Sequence, residues 1–449
     1  MVKNPAISST STGTVELFVD RIVFGGIGIA ELNGWKVFVP YAAPQERIAA
    51  QLIVKKKDYG IARIKEILEP SPFRIPAPCP YYGKCGGCQL QHIAYEGQLV
   101  IKKLLVNDTL QRIGKIFVPV TNINFISSPW RYRNKTQYPV AGSRKKMFIG
   151  FYKKQSHQVI DIPDCLLQPE EFNQLRNKIK DVLQETGELP YDEIKHYGNI
   201  RHLVLRQGTN GELLLIIVTR TKQLNPKTVS RLIDFPSLTG IVQNINSLPT
   251  NRILGSENIV HWGRHYITIK ILQKEFRVSA GSFFQVNVPQ TEELISKVIK
   301  AINPQGDEVV LDLFCGVGMI SLLLAEQVRK VIGIEIAQEA VADARFNARN
   351  LQINNAEFVQ GDVAVLIKNI KSADVVIVDP PRKGCSPDTI QRIVQLSPRT
   401  VIYVSCNPST LARDLALLEN LGYSCSSVEP LDMFPQTAHV ESIAKIVRR

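Results

Sequence analysis

The sequence predicts a multidomain chain with an N-terminal β-barrel, a central α+β region and a C-terminal α/β domain built on a mostly parallel, doubly wound sheet. Short alternating runs and an Asn33-Gly34 turn signal occupy the first part of the chain, whereas apolar runs alternate with helical patterns after Val309. A chain of 449 residues is also too long for a single hydrophobic core.

The N-terminal region contains alternating apolar and polar runs at Val15–Val23, Lys36–Val39 and Gln51–Lys55. A period of two predicts half-buried strands, and an Asn-Gly pair is a preferred hairpin turn. We therefore expect a small β-barrel within residues 1–70. The Ser/Thr-rich residues before Thr12 are expected to be disordered.

Residues 71–284 are expected to form an α+β domain, with strand-like runs such as Leu213–Val218 and Tyr266–Leu272. The chain has a formal charge of +13, and Ser71–Cys165 alone contributes +10 from fourteen Lys or Arg against four Asp or Glu. An excess of this size predicts a polyanionic partner.

Aromatic residues are interleaved with the basic residues of this segment. Trp130–Lys135 mixes cations and rings, and lysines and arginines flank Phe151–Tyr152. Stacking combined with phosphate contact is typical of single-stranded RNA binding. Arg201, His202 and Arg206 bracket an apolar strand and are further candidates for facing RNA.

Four cysteines form a candidate metal centre. Cys79, Cys85 and Cys88 have the spacing C-x5-C-x2-C, and Cys165 lies in a later IPDC turn. Four sulfur ligands suit either an iron–sulfur cluster or tetrahedral zinc, and the spacing does not decide between them, although three ligands in one loop favour a cluster. Disulfides are not expected, because the chain has no apolar leader and its composition indicates a cytoplasmic protein.

The C-terminal region begins with a strand, a glycine turn and a helix. The apolar run Val309–Leu313 is followed by Cys315–Gly318, and a second run, Val331–Ile334, ends at Glu335. Glycines let a ligand approach the backbone N–H groups of a helix N-terminus, and a carboxylate about twenty residues later can accept hydrogen bonds from ribose hydroxyls. This pattern is typical of nucleotide binding.

Polar residues follow three further strand-like runs of this domain. Asp362 comes after Glu357–Gln360, Asp379-Pro380-Pro381 after Val375–Val378, and Cys406 after Thr400–Val404. Because parallel strands end at the same edge of a sheet, these residues are expected to converge on one crevice.

Cys406 is a candidate nucleophile. A free cysteine is often only a small buried hydrophobe. Cys406, however, lies between Ser405 and Asn407-Pro408 at a predicted strand end, and the helix that follows is expected to lower the pKa of the thiol.

Five motifs occur in the order GSFFQVN (Gly281–Asn287), LDLFCGVG, VDPPRKG, SCNP and HVES (His439–Ser442). In this order they resemble the RNA 5-methyluridine methyltransferases, particularly the 23S rRNA (uracil-5-)-methyltransferases with a TRAM domain and an iron–sulfur cluster. The resemblance covers nearly the whole chain. It implies an OB-like TRAM barrel over residues 1–70 and a Rossmann-like methyltransferase domain over residues 285–449.

The resemblance also implies roles for individual residues. Cys406 is the expected nucleophile that adds to C6 of uracil, and Glu441 is the expected base that removes the C5 proton. A [4Fe-4S] cluster is expected on Cys79, Cys85, Cys88 and Cys165. The residues expected to bind S-adenosylmethionine are Gln285, Phe314, Gly316, Gly318, Met319, Glu335, Asp362 and Asp379.

The sequence therefore predicts a cytoplasmic RNA uracil-C5 methyltransferase that acts as a monomer, with ribosomal RNA favoured over transfer RNA as its substrate and no membrane association. Three alternatives remain open: a transfer RNA uridine C5 methyltransferase, an RNA cytosine-C5 methyltransferase, and a non-catalytic RNA-binding protein. Intact Cys406, Glu441 and the glycine turn argue against the last of these.

Overall fold

The computed structural model describes residues 13–449, so the disorder expected for the first residues lies outside the described residues. The chain forms two compact units. The first contains the described part of Met1–Gly83, with Cys88–Ile101 and Gln436–Ala438, and the second contains Lys84–Gly87, Lys102–Pro435 and His439–Arg449. The domain boundaries expected after residues 70 and 284 stay predictions. Among the described residues, no helix is both long and apolar enough to cross a membrane.

The first unit contains a closed five-stranded barrel, which confirms the expected N-terminal β-barrel. Asn33 and Gly34 have φ values of 50° and 81°, as the predicted hairpin turn requires. The barrel core includes Val19, Val37 and Ile48, all fully buried. Around the barrel the strands run β1-β2-β3-β5-β4, with bounds β1 (Thr14–Val23), β2 (Ile27–Leu32), β3 (Trp35–Pro40), β4 (Arg47–Lys55) and β5 (Tyr59–Glu69).

The second unit contains a seven-stranded sheet with the order β12-β11-β10-β9-β6-β7-β8. The inner strand β10 reads LLLIIVT and is buried throughout, because its alternate residues enter two hydrophobic cores on opposite faces of the sheet. The strands are β6 (Lys135–Ser143), β7 (Lys146–Tyr152), β8 (Val159–Asp161), β9 (Ile200–Gln207), β10 (Leu213–Thr219), β11 (Leu238–Ile245) and β12 (Glu257–Gly263). The helices of the N-terminal and central regions are α1 (Tyr95–Thr109), α2 (Glu170–Glu185) and α3 (Pro226–Ser230).

The same unit contains a second seven-stranded sheet, with the order β17-β16-β15-β18-β19-β21-β20. A hairpin of two further strands precedes it. The strands are β13 (Tyr266–Ile271), β14 (Lys274–Ser279), β15 (Val309–Leu313), β16 (Lys330–Glu335), β17 (Ala356–Gln360), β18 (Val375–Val378), β19 (Thr400–Ser405), β20 (Tyr423–Leu431) and β21 (Glu441–Arg448). The helices are α4 (Val288–Ile302), α5 (Met319–Leu324), α6 (Gln338–Asn350), α7 (Val363–Leu366), α8 (Pro387–Gln395) and α9 (Pro408–Asn420).

The first five strands of this sheet, from β17 to β19, are parallel, which confirms the predicted mostly parallel sheet. The chain end departs from that pattern. Strand β21 inserts antiparallel between β19 and β20, so that the C-terminal segment pairs on both sides. This insertion brings the predicted base to the sheet edge where the parallel strands end.

Candidate functional site

The glycine turn after β15 begins the site. Gly316 and Gly318 have φ values of 55° and 81°, in the region that glycine adopts without strain. A Cβ on Gly318 would lie 2.8 Å from the Phe358 ring, whereas a Cβ on Gly316 would meet nothing within 4 Å. Gly318 is therefore needed for packing at the start of α5, and Gly316 borders open space at the sheet edge.

Glu335 lies beside this turn at the end of β16. Its carboxylate accepts hydrogen bonds from the backbone N–H of Gly316 at 3.2 Å and of Ala337 at 2.8 Å. These two bonds hold the side chain at the carboxyl ends of the parallel strands, where a ribose is expected to bind. Phe314, at a φ of 65°, donates its backbone N–H to Ile334 at 2.9 Å and ties the two strand ends together.

The other residues predicted to bind the cofactor make separate local contacts. Asp362 is exposed and caps α7 by accepting from the N–H of Ala364 at 2.8 Å. Gln285 is buried, and its backbone carbonyl accepts from the Asn134 side chain at 3.1 Å. Met319 packs its side chain partly against the hydrophobic core. Their contacts with a cofactor stay predictions.

Two carboxylates share the centre of the edge. Asp312 is buried in β15 and accepts from the Ser321 hydroxyl at 2.5 Å, and Asp379 follows the neighbouring strand β18. Burial is the main cause that raises the pKa of each to about 7. The negative charge of Glu335 contributes to both values, and that of Asp312 contributes to the value of Asp379. This edge thus concentrates negative charge, which a cationic ligand would relieve.

Cys406 and Glu441 face one another across the end of β19 and the start of β21. Ser405 pairs with Ser442, so the next residue on β19 and the preceding residue on β21 are opposed. Glu441 is 2% exposed, and its Oε1 has no hydrogen-bond partner. Burial, followed by repulsion from Asp379, raises the pKa of Glu441 well above its usual value.

The pKa of the Cys406 thiol is raised to about 11, contrary to the expectation that the following helix would lower it. Burial is the largest cause, and the Glu441 carboxylate adds to it. Because a buried carboxylate lies opposite the sulfur, its effect and that of burial outweigh the positive end of α9. The thiol is therefore a latent nucleophile in the free chain.

Arg382, for which the sequence predicts no role, opposes this rise. Its positive charge lowers the pKa of both Cys406 and Glu441. The Asn407 side chain donates to the Arg382 backbone carbonyl at 3.0 Å, which holds the loop after β18 against the loop after β19. The DPPR motif was the available signal, but the sequence alone did not show that the arginine lies beside both reacting groups.

His439 lies next to Arg382. Its Nε2 is 3.4 Å from an Arg382 guanidinium nitrogen, and burial, then Arg382, lower the pKa of His439 to about 4. A neutral imidazole offers a ring nitrogen that can accept from the guanidinium. The arginine is thus oriented by a residue of the HVES motif.

The candidate metal ligands are divided between the two units. Cys79 and Cys88 belong to the first unit, and Cys85 and Cys165 belong to the second. In residues 13–449, no group of three or more His, Cys, Asp or Glu side chains has an arrangement suited to a metal ion. The cluster expected on these four thiols stays a prediction.

The expectation that the β9 side chains face RNA is wrong. Arg201, His202 and Arg206 are all buried. Arg201 donates to the carbonyls of Asn246 at 2.6 Å and of Leu248 at 2.7 Å, and burial lowers the pKa of His202 to about 4. The two arginines donate to backbone carbonyls inside the unit, which a strand pattern read from sequence does not reveal.

The chain is similar to known RNA methyltransferases over almost its whole length. Residues 304–434 match the family model described as a methyltransferase domain. The chain is 43% identical over 440 residues to an uncharacterized RNA methyltransferase of Halalkalibacterium halodurans, covering 96% of each chain. It is 40% identical over 439 residues to an uncharacterized RNA methyltransferase of Clostridium tetani, covering 96% of this chain and 95% of that protein.

A solved structure is similar over almost the whole chain. The Pyrococcus abyssi tRNA (uracil-54, C5)-methyltransferase in complex with S-adenosyl-L-homocysteine has a TM-score of 0.77 and 27% sequence identity. The alignment covers 96% of this chain and 99% of that chain.

Proposed function

This chain belongs to the RNA methyltransferase family, and we propose that it transfers a methyl group from S-adenosylmethionine to C5 of a uridine in RNA. The observation that carries the proposal is the facing pair of Cys406 and Glu441 at the sheet edge. A thiol and a buried carboxylate placed together are the two groups that C5 methylation of uracil requires.

Cys406 has the first role in the proposed reaction. C5 of uracil is a weak nucleophile, so the thiolate sulfur first forms a bond to C6, and the C5–C6 π electrons move towards the C4 carbonyl. The resulting enolate has carbanion character at C5 and attacks the methyl group. The bond from the methyl carbon to the sulfonium sulfur breaks, and the neutral thioether leaves with that electron pair.

Glu441 has the second role. Its carboxylate takes the proton from C5, and the electrons of the C–H bond restore the C5–C6 double bond while the Cys406 thiolate leaves C6. The raised pKa of the Glu441 carboxyl suits a base, because a more basic carboxylate accepts a proton more readily. Because Oε1 has no partner in the described structure, it is available to the substrate.

The sheet edge fits the proposed cofactor. S-adenosylmethionine, when bound, supplies an electrophilic methyl group on a sulfonium cation. Asp312, Glu335 and Asp379 together make the edge acidic. Burial, and then repulsion among these carboxylates, raise the pKa values of Asp312 and Asp379, and a bound cation would favour their charged forms. Glu335 is oriented by the glycine turn to accept ribose hydroxyls, and Asp362 and Gln285 are the proposed flanking contacts.

We propose ribosomal RNA as the substrate, on the resemblance of the motifs to the 23S enzymes. Transfer RNA is the second candidate, because the similar Pyrococcus abyssi structure is of a tRNA (uracil-54, C5)-methyltransferase. Incubation of the purified chain with labelled cofactor and either RNA, followed by nucleoside mass spectrometry, tests both. We expect 5-methyluridine from ribosomal RNA. 5-Methylcytidine, or no methylated nucleoside from either RNA, would contradict the proposed function.

A [4Fe-4S] cluster on Cys79, Cys85, Cys88 and Cys165 is part of the proposal. Methyl transfer has no redox step, so the cluster's proposed role is to hold loops and position RNA. The four thiols are half-buried, which is compatible with ligation. Anaerobic purification followed by visible absorption and by iron and sulfide analysis tests it. A colourless, zinc-containing protein would contradict the cluster.

A further inference from the structure

A cavity of about 540 Å³ lies beside the first turns of α4, outside the cofactor edge and the Cys406–Glu441 pair. It is bordered by a segment of the basic central region that includes Asn124, Trp130 and Tyr132, and by Gln290 and Glu293 of α4. Its volume is in the range of small-molecule sites.

Gln290 provides the strongest sign that the cavity binds a ligand. The residue is 2% exposed, and its side-chain Oε1 is buried with no hydrogen-bond partner among the described residues. A buried amide oxygen without a partner is unfavourable, so a ligand that supplies a donor would remove the penalty.

The Glu293 carboxylate is a second acceptor of the cavity, whose lining also includes the hydroxyl groups of Ser127 and Ser128. This carboxylate is half-exposed, accepts from the Asn124 amide at 2.5 Å and lies 3.8 Å from the Lys297 ammonium group. The side-chain carbonyl oxygen of Asn124 therefore stays available as an acceptor. The Arg131 guanidinium does not compensate, because it donates to Asp164 and to the carbonyls of Cys165 and Gln168.

Aromatic side chains supply the apolar part of the cavity. Trp130 is half-buried and borders it, and Tyr132 is turned so that its hydroxyl donates to the Pro435 carbonyl at 3.1 Å. A planar ligand can stack on an indole in such a cavity.

We propose that this cavity binds an unpaired guanine base of the RNA substrate, next to or a few nucleotides from the methylated position. Among the bases, guanine alone presents a ring N–H and an amino group side by side, which match two acceptors, together with a carbonyl that the Gln290 amide can bind. Uracil would place two carbonyls against the Glu293 carboxylate. The assignment rests on the proposed function only in taking the ligand to be RNA.

The cavity lies within reach of the catalytic pair. Asn124 pairs with Leu431, Leu431 pairs with Glu441, and Glu441 is opposed to Cys406. Three interstrand spacings of about 4.8 Å place Asn124 roughly 14 Å from Cys406. A nucleotide near the flipped uridine can therefore occupy the cavity while the target base reaches the thiol.

Binding of labelled heptauridine oligonucleotides that carry a single central G, A or C tests the inference. Fluorescence anisotropy would be measured on the full chain with Cys406→Ala as the background, so that no covalent adduct forms. The G oligonucleotide is expected to bind about tenfold more tightly than the A or C oligonucleotide. Gln290→Leu should abolish that preference while leaving the affinity for plain heptauridine unchanged.

Gln327→Leu, an exposed glutamine after α5, is the matched control and should keep the preference. Gln290→Leu is not expected to unfold the chain, because it removes a buried oxygen that has no partner. Equal binding of the three oligonucleotides, or a preference for G that survives Gln290→Leu, would overturn the inference. Since binding needs no methyl transfer, this outcome is distinguishable from a failure of the proposed reaction.

Discussion

Cys406 and Glu441 are opposed on neighbouring antiparallel strands, one residue beyond the paired Ser405 and Ser442. The carboxylate raises the pKa of the thiol, and Arg382 lowers the pKa of both groups. The site therefore holds two acids whose pKa values are raised mainly by burial and lowered by one nearby cation. This relationship leads to the first two predictions.

Arg382→Gln should weaken the nucleophile. The substitution removes the positive charge that lowers the pKa of the Cys406 thiol, so the pKa rises further above about 11 and less thiolate is present at neutral pH. The rate at which Cys406 is alkylated in the folded chain should fall about tenfold at each pH from 7 to 10. Mass spectrometry of the peptide that contains Cys406 measures this rate. Arg392→Gln on the exposed face of α8 is the control. An unchanged alkylation rate would show that Arg382 does not act on the thiol.

Glu441→Gln should stop the proposed reaction after methyl transfer. The amide cannot accept the C5 proton, so Cys406 cannot leave C6. We expect a methylated protein–RNA adduct on unmodified RNA, and a loss of released product of about 100-fold or more. Denaturing gel electrophoresis with labelled RNA measures the adduct. Glu326→Gln, an exposed glutamate after α5, should release product normally. Normal turnover by Glu441→Gln would show that the carboxylate is not the base.

Asp379→Asn should stabilise the free chain only at higher pH. Burial and carboxylate repulsion raise the pKa of Asp379 in the folded state to about 7, against an unfolded value of about 3.9. A raised folded pKa means that stability is complete below the unfolded pKa and is lost as the pH rises towards 7. Urea unfolding should show little difference near pH 4 and a gain of up to about 4 kcal/mol for the variant at pH 8. An equal effect at both pH values would contradict this electrostatic account.

Gly318→Ala should destabilise the glycine turn more than an equivalent change elsewhere. Gly318 has a φ of 81°, and its added Cβ would lie 2.8 Å from Phe358. Gly422→Ala is the control, since Gly422 has a φ of 91° but open space around it. We expect a loss of about 1 kcal/mol for the control, from backbone conformation alone, and about 2–4 kcal/mol for Gly318→Ala. Equal losses in thermal or urea unfolding would mean that the Phe358 contact relaxes without cost.

The strands of the parallel sheet were predictable because both of their faces are buried. Val375–Val378 and Thr400–Val404 read as continuous apolar runs, which is the pattern of such strands. The Asn33-Gly34 turn was also predictable, because only a few residue types adopt two successive positive φ values.

The environment of Glu441 could not be read from local sequence. A glutamate near the chain end resembles a solvated surface residue, and its burial depends on the insertion of β21 between β19 and β20. The same limitation applies to Arg206, whose burial against the Ser282 carbonyl arises from a contact between distant segments. The raised pKa of Cys406 follows from these long-range pairings as well.

The most direct test of the central claim is intact-mass spectrometry of the chain after incubation with S-adenosylmethionine and RNA that contains 5-fluorouridine. Fluorine at C5 cannot be removed as a proton, so a covalent complex should persist. We predict a methylated adduct attached at Cys406, absent from Cys406→Ala and present in Cys385→Ala, whose thiol is buried. Methylation of ordinary uridine RNA without any adduct on the fluorinated RNA, or an adduct that survives Cys406→Ala, would contradict the assignment of Cys406 as the nucleophile.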